Sequence, residues 1–397
     1  MEAYIGIDLG KESVAAFCGF GETTAHRQTL RFKTSHSEFS RLLKWVTERG
    51  VTKGTFVMEA SGPYWAPLYA WLIENGQEVY LANPSAPRHF AKSRLKRTKN
   101  DRVDARTIAE FAAREKLSGE SGRLNAYELQ LACRAIRSHI ENAAAAKNRI
   151  IQLLDVLFPE LATVFHDVTC MSSLAFLKKY PTPKAVLDAG EKKISEIKVS
   201  KRSLGPSKAQ EVYEAARSSV GLKLGPELHA IVLQNQIDVL QQQNRAISRL
   251  EDWIAKNASS EALKLLMSHP GCGIRTAAVV MSEVVDPARF PSADKIVAYA
   301  GVFPREIQSG KLAKTAKSYR MAKTGNRALR HALYLIALNA VGRDTDLKVY
   351  YLRKQKQGKK PMVALGHCMR KVLVTLWAIW RKKKPYEQRI VAEAARG

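Results

Sequence analysis

The chain has 397 residues, 46% apolar and 25% charged, which is enough material for more than one hydrophobic core and excludes both a single small module and a disordered polyelectrolyte. Its 64 Lys plus Arg against 37 Asp plus Glu leave a net charge of +27, which points to a polyanionic partner, with DNA or RNA ahead of a membrane surface. No apolar run approaches the roughly 18 residues of a membrane helix, and Cys18, Cys133, Cys170, Cys272 and Cys368 form no CxxC pair, so a cytoplasmic protein without membrane contact or structural zinc is expected.

In chain order, AYIGIDLG (3–10), SVAAFCGF (13–20) and TLRFK (29–33) are short β-rich runs that predict a meander. SEFSRLLKWVTERG (37–50) predicts a helix with Phe39, Leu42, Leu43 and Val46 on one face and Gly50 past its end. GTFVMEA (54–60), a helix over 63–76 and EVYLANP (78–84) complete the segment. Three antiparallel strands followed by two helix-linked parallel ones is the order of an RNase H-like α/β fold.

From Arg88 to Arg106 the chain is basic, with Arg94, Lys96, Arg97, Lys99 and Arg102 as candidate nucleic-acid contacts in a loop that enters a helix. Leu129, Cys133, Ile136, Ile140, Ala143, Lys147, Ile150, Leu154 and Leu157 then form a heptad seam with one charged interruption. A second seam runs through Leu233, Ile237, Leu240, Asn244 and Ile247, and the two helices pair either with each other or with a second subunit. The Lys-rich stretch between them predicts short helices.

Near Leu266 a Pro-Gly-x-Gly turn leads into another helix, and Gly271 and Gly273 serve either an ordinary helix connection or a helix-hairpin-helix-like phosphate contact. The remaining segment alternates helices with basic clusters, the first of which, Arg353 to Lys360, sits beside Tyr350 and Tyr351. The fold class is therefore α/β plus α: a mixed five-stranded sheet with helices over 1–125, long helices over 126–260, and a mostly helical domain over 261–397.

Asp8 and Glu59 end the first and fourth strands, at the edge where α/β folds place ligands, and Asp101 and Asp104 share one face at a helix start. Singly, each has a structural reading as a strand end, an N-cap or a partner of the helix dipole. If the first and fourth strands are neighbours, the four carboxylates converge, and converging carboxylates call for a divalent cation such as Mg²⁺. The run IGIDLGKE also looks like the first phosphate loop of actin-like ATPases, but no second glycine-rich loop and no Walker motif follows.

The series GIDLGKE, VMEASGPYW and KNDRVDART, followed by PGCGIRTAA, AYAGVFPREIQSGK and KTGNRALRHALY, resembles the bridge-RNA-guided insertion-sequence transposases, with the Piv-like DNA invertases as relatives. These join an N-terminal RuvC-like DEDD domain to a C-terminal serine-bearing domain. The resemblance implies that Asp8, Glu59, Asp101 and Asp104 bind Mg²⁺, with two ions per site, and that Ser309 attacks DNA to give a phosphoserine intermediate. It also implies a structured bridge RNA that pairs with target and donor DNA, and a homo-oligomer, dimer or tetramer, that shares its active site.

Taken from the residues alone, Ser309 in Gln-Ser-Gly reads first as a turn. Lys314, Lys317 and Arg320 read either as phosphate contacts or as solvated cations, while Lys323, Asn326 and Arg330 begin a helix at a position suited to phosphate. Two rival functions carry different tests. A Holliday-junction type nuclease would use water as its nucleophile and leave no covalent adduct, and a non-catalytic architectural protein would survive Glu59→Gln.

Overall fold

The computed structural model describes residues 2–11, 13–19, 29–60, 64–82, 85–94, 100–118, 123–199, 202–223, 225–307, 318–322, 324–343 and 345–388. The chain divides into two compact units, 1–128 and 129–397.

The first unit runs β1 (Glu2–Leu9), β2 (Val14–Gly19), β3 (Thr29–Phe32), α1 (His36–Thr47), β4 (Lys53–Glu59), α2 (Trp65–Glu74), β5 (Glu78–Ala82), α3 (Ser85–Ser93) and α4 (Asp101–Glu115). Its five strands lie in the order β3-β2-β1-β4-β5, antiparallel from β3 to β1 and parallel from β1 to β5. That is the mixed sheet expected of a meander followed by two helix-linked strands.

Strand alternation sorts the side chains by face. Ile5, Ile7, Phe56, Met58, Val79 and Leu81 pack with Phe39 and Leu42 of α1 and Leu68 and Leu72 of α2. Ala15 and Phe17 meet Ala105 and Ala109 of α4 on the opposite face, where Val57 and Ala82 meet Ile108 and Ala112. The small residues of α4 bring its backbone close to the sheet. The helix starts where it does because Asn100 caps it, its Oδ1 accepting the Val103 N–H at 2.9 Å.

The second unit continues α5 (Arg123–Leu157) with α6 (Leu161–Val164), α7 (Met171–Lys179), α8 (Pro183–Ser195), β6 (Lys198–Val199), β7 (Arg202–Ser203), α9 (Pro206–Arg217) and α10 (Pro226–Asn257). It ends with α11 (Ser260–Met267), α12 (Ile274–Val284), α13 (Ala293–Ala300), β8 (Pro304–Ile307), β9 (Ser318–Met321), α14 (Arg327–Val341), α15 (Asp346–Lys356) and α16 (Pro361–Lys382).

The two heptad seams choose each other. Ile150 and Leu154 of α5 share a core with Leu233 and Ile237 of α10, while Leu129 and Ile136 share another with Ile247 and Ile254, so the helices run antiparallel. Between the two cores, His139 Nδ1 lies 2.6 Å from Gln243 Oε1. Ile140 departs from the seam and is 40% exposed. Among the described residues one helix, α16, is long and apolar enough to cross a membrane by length and composition; its Leu365, Cys368, Val372, Leu373 and Leu376 are buried in the core of this unit.

Candidate functional site

Asp8 and Glu59 each follow, by one residue, the registered pair Ile7–Met58 of the parallel strands β1 and β4. Their carboxylates therefore leave the sheet side by side at its carboxyl edge, on the face that α4 covers. Asp101 and Asp104 occupy the first turn of α4, three residues apart and on one side of the helix. Since Asn100 does the capping, neither carboxylate serves as the N-cap.

Asp8, Glu59 and Asp104 are half-buried and Asp101 is exposed. The Asp8 carboxyl is pushed up to about 6, first by burial and then by the negative charges of Asp104, Asp101 and Glu59. The four sequence-derived carboxylates thus occupy one electrostatic neighbourhood. Arginines lean on two of them: Arg88 Nη2 of α3 lies 3.3 Å from Glu59 Oε1, and Arg31 Nη2 of β3 lies 3.7 Å from Asp101 Oδ2.

Among the described residues no three carboxylate, imidazole or thiolate groups stand close enough to hold an ion jointly. The donor set nevertheless fits a hard divalent cation: all four groups offer oxygen, and the charge that raises Asp8 is what such an ion would neutralise.

Sequence reasoning passed over Arg31. Across the sheet, Arg31 stands opposite Ala15 and Ala15 opposite Asp8, so the three form one row on one face. That row depends on strand register, for which the local run TLRF offers no signal. Arg88 lay in the basic stretch but was not singled out from it.

Of the basic candidates, Arg102 is exposed one residue after Asp101. Arg94 pairs with Glu110 at 3.7 Å, with its Cζ 4.8 Å from the centre of the Phe90 ring. Lys96, Arg97 and Lys99 lie outside the described residues.

In the second unit Gly271 has φ +87, and a Cβ there would meet Ile336 O at 2.6 Å and Ala340 N at 2.7 Å. The turn is therefore pressed onto α14, and glycine is required for the approach. Gly273 starts α12 with open space at its Cα, and its N–H donates to Thr276 Oγ1 at 3.0 Å.

Strands β8 and β9 form an antiparallel hairpin in which Arg320 stands opposite Arg305. Ser309, Lys314 and Lys317 fall between these strands in sequence; they and Lys323 lie outside the described residues.

Asn326 and Arg330 have partners inside the fold. Asn326 Oδ1 accepts the Leu329 N–H at 2.9 Å as the cap of α14, and its Nδ2 donates to Glu283 Oε2 at 2.6 Å. The Tyr299 hydroxyl donates to Glu283 O at 2.9 Å, and Arg330 Nη1 donates to Ala300 O at 3.0 Å. These bonds tie α12, α13 and α14 together beside the hairpin. Glu283 and Tyr299 were not read from the sequence, because their partner lies 43 and 27 residues away.

Two family models match the chain. One, of the DEDD IS110 type and described as a transposase, covers residues 5–159; the other, described as the transposase IS116/IS110/IS902 family, covers residues 263–352. Full-length relatives agree. The chain is 28% identical to an uncharacterized protein of insertion element IS110 from Streptomyces coelicolor, over 98% of this chain and 96% of that one. It is 24% identical to the pilin gene-inverting protein of Moraxella bovis, over 98% and 99%. It is also 24% identical to a transposase of insertion sequence element IS1111A from Coxiella burnetii, over 96% and 90%.

Proposed function

The chain belongs to the IS110/IS116 family of insertion-sequence transposases, and from that premise we propose that it cuts and rejoins DNA under the guidance of a structured RNA. The observation that carries this reading is the gathering of Asp8, Glu59, Asp101 and Asp104 at one edge of the sheet, felt as the raised pKa of Asp8. Their donors and the sheet order support a RuvC-like site for Mg²⁺. Bound there, Mg²⁺ would stabilise charge on the oxygen leaving phosphorus and ease loss of the attacking hydroxyl's proton.

In this reading Ser309 is the nucleophile. Its Oγ bonds to phosphorus as the bond from phosphorus to a deoxyribose oxygen breaks; the serine proton departs and the leaving oxygen gains one. The phosphoserine ester keeps the phosphodiester ready for attack by a new strand. Arg31, Arg88 and Arg102 offer cations to the strand beside the carboxylates. The name of the pilin gene-inverting relative supports recombination of DNA segments as the outcome.

A net charge of +27 supports two polyanions, a guide RNA that supplies sequence choice by pairing and the target and donor DNA. Leu131, Ile140 and Ile151 of α5 remain exposed, which supports association of copies into a dimer or tetramer.

The test is to purify the protein from cells that carry its native flanking DNA and sequence the nucleic acid that accompanies it. One abundant structured RNA mapping to the element's ends is expected, and with it a covalent protein–DNA adduct that Ser309→Ala abolishes. Cleavage without any adduct would replace the serine by water and make the protein a metal-dependent nuclease. Random or absent RNA would leave a recombinase guided by protein alone.

A further inference from the structure

Between Leu347 and Tyr386 the chain carries 12 Lys and Arg, while all 37 of its Asp and Glu lie outside that stretch. The fold gathers these charges. Over the half-buried Tyr350 ring of α15 stand Arg353 Cζ at 5.3 Å, Lys354 Nζ at 5.5 Å and, from α16, Lys371 Nζ at 4.9 Å. Each contact is favourable as a cation over a π face, yet three like charges around one ring repel.

A basic face that only keeps a protein solvated lets its long side chains spread apart, because spreading relieves repulsion and retains rotamer entropy. Here two helices bring them together over a ring that packs against the core of the unit. The field reaches His367 of α16, whose imidazole is held below its ordinary range by burial first and then by Lys354 and Lys359. Asp346, at the start of α15, meets Lys371 at 3.9 Å and accepts the Tyr386 hydroxyl at 2.5 Å, one carboxylate against the group. Lys356, Lys359 and Lys360 extend the same surface and are exposed.

We propose that the α15–α16 face around Tyr350 is a docking surface for the phosphodiester backbone of duplex DNA, the polyanion that membership of a transposase family implies, in which the Tyr350 ring preorganises Arg353, Lys354 and Lys371 for adjacent phosphates. The ring faces are taken up by cations, so the surface holds the backbone without stacking or reading bases. The inference concerns binding alone and does not depend on the carboxylate chemistry.

The test measures affinity of the full chain for a short duplex DNA and a short single-stranded RNA, both of unrelated sequence, across a salt series. Arg353→Ala/Lys354→Ala is expected to lower the slope of log affinity against log salt by about two. Lys192→Ala/Lys193→Ala on α8 removes the same net charge from another exposed site and is expected to leave the slope unchanged. Tyr350→Leu keeps every charge and is expected to weaken binding severalfold, with Tyr350→Phe unchanged. The duplex is expected to lose at least as much as the RNA, and a loss confined to the RNA would overturn the assignment to DNA. Equal effects of the two double variants, or no effect of either, would overturn the proposal; so would lost binding to phosphatidylserine vesicles with nucleic-acid binding intact, which would make the face a membrane-contacting one.

Discussion

A Cβ built on Gly6 would stand 2.2 Å from the Ala105 carbonyl oxygen and 2.5 Å from the Ala109 nitrogen, so α4 lies backbone against backbone on β1. Asp8 is two residues beyond Gly6 and Asp104 is one residue before Ala105. The contact therefore sets how closely the strand carboxylate and the helix carboxylates approach.

Gly6→Ala should push α4 off the sheet and cost about 1–3 kcal/mol, the usual range for overpacking. Denaturant unfolding measures that cost, with the slope unchanged if the fold is kept. DNA cleavage should fall further than the loss of folded protein explains. A variant as active per folded molecule as the parent would show that the spacing does not matter.

Asp8 gives a signed pH dependence. With its folded pKa raised from 3.8 to about 6, the folded chain holds this proton more tightly than the unfolded one. The stability it contributes is complete below 3.8 and is lost as pH rises through about 6. In the presence of a chelator, Asp8→Asn should therefore melt above the parent at about pH 8 and level with it at about pH 4. Melts that differ equally at both ends would sink the assignment of repulsion at Asp8.

If the carboxylates hold Mg²⁺ as proposed, Asp104→Asn should lower strand cleavage by ~10³-fold, a loss of several kcal/mol of transition-state stabilisation. Nucleic-acid affinity should stay intact or rise slightly, because a repulsive charge is gone. Loss of binding in place of cleavage would be incompatible with a catalytic role.

Asn326→Ala removes both the cap of α14 and the bond to Glu283, and should cost about 2 kcal/mol or more. Asn326→Asp keeps the cap but sets a second carboxylate against Glu283, so it too should melt early at neutral pH. In both, the nucleic-acid affinity of the folded protein at fixed salt should match the parent's. A lowered affinity in Asn326→Ala would place Asn326 among the phosphate contacts.

Burial pushes the thiols of Cys18, Cys272 and Cys368 up to about 11 and that of Cys133 to about 12. Iodoacetamide should therefore label these four far more slowly in the folded protein than after denaturation, as read by peptide mass mapping. Rapid labelling of any one would show that its surroundings open.

The sheet was legible because its signals are local. The run GTFVMEA is buried continuously from Thr55 to Met58 and EVYLA buries Val79, Leu81 and Ala82, and a meander followed by helix-linked strands leaves few topologies open. Asp8 and Glu59 could be picked out because they stand at strand ends, and Asp101 and Asp104 because a spacing of three puts them on one helix face. The long helices were equally plain, but their pairing was not, since a heptad seam suits an internal partner and a second copy alike.

Composition, charge and periodicity thus determined the classes of element, the expectation of a polyanionic partner and the four candidate carboxylates. Tertiary structure alone decided that Arg31 shares a row with Asp8, that Gly6 admits α4, that Asn326 answers Glu283 and that Lys371 joins Arg353 over Tyr350. The physical reason is range: periodicity and capping act within a few residues along the chain. Register, close packing and charge pairing act across a few ångströms between segments tens of residues apart.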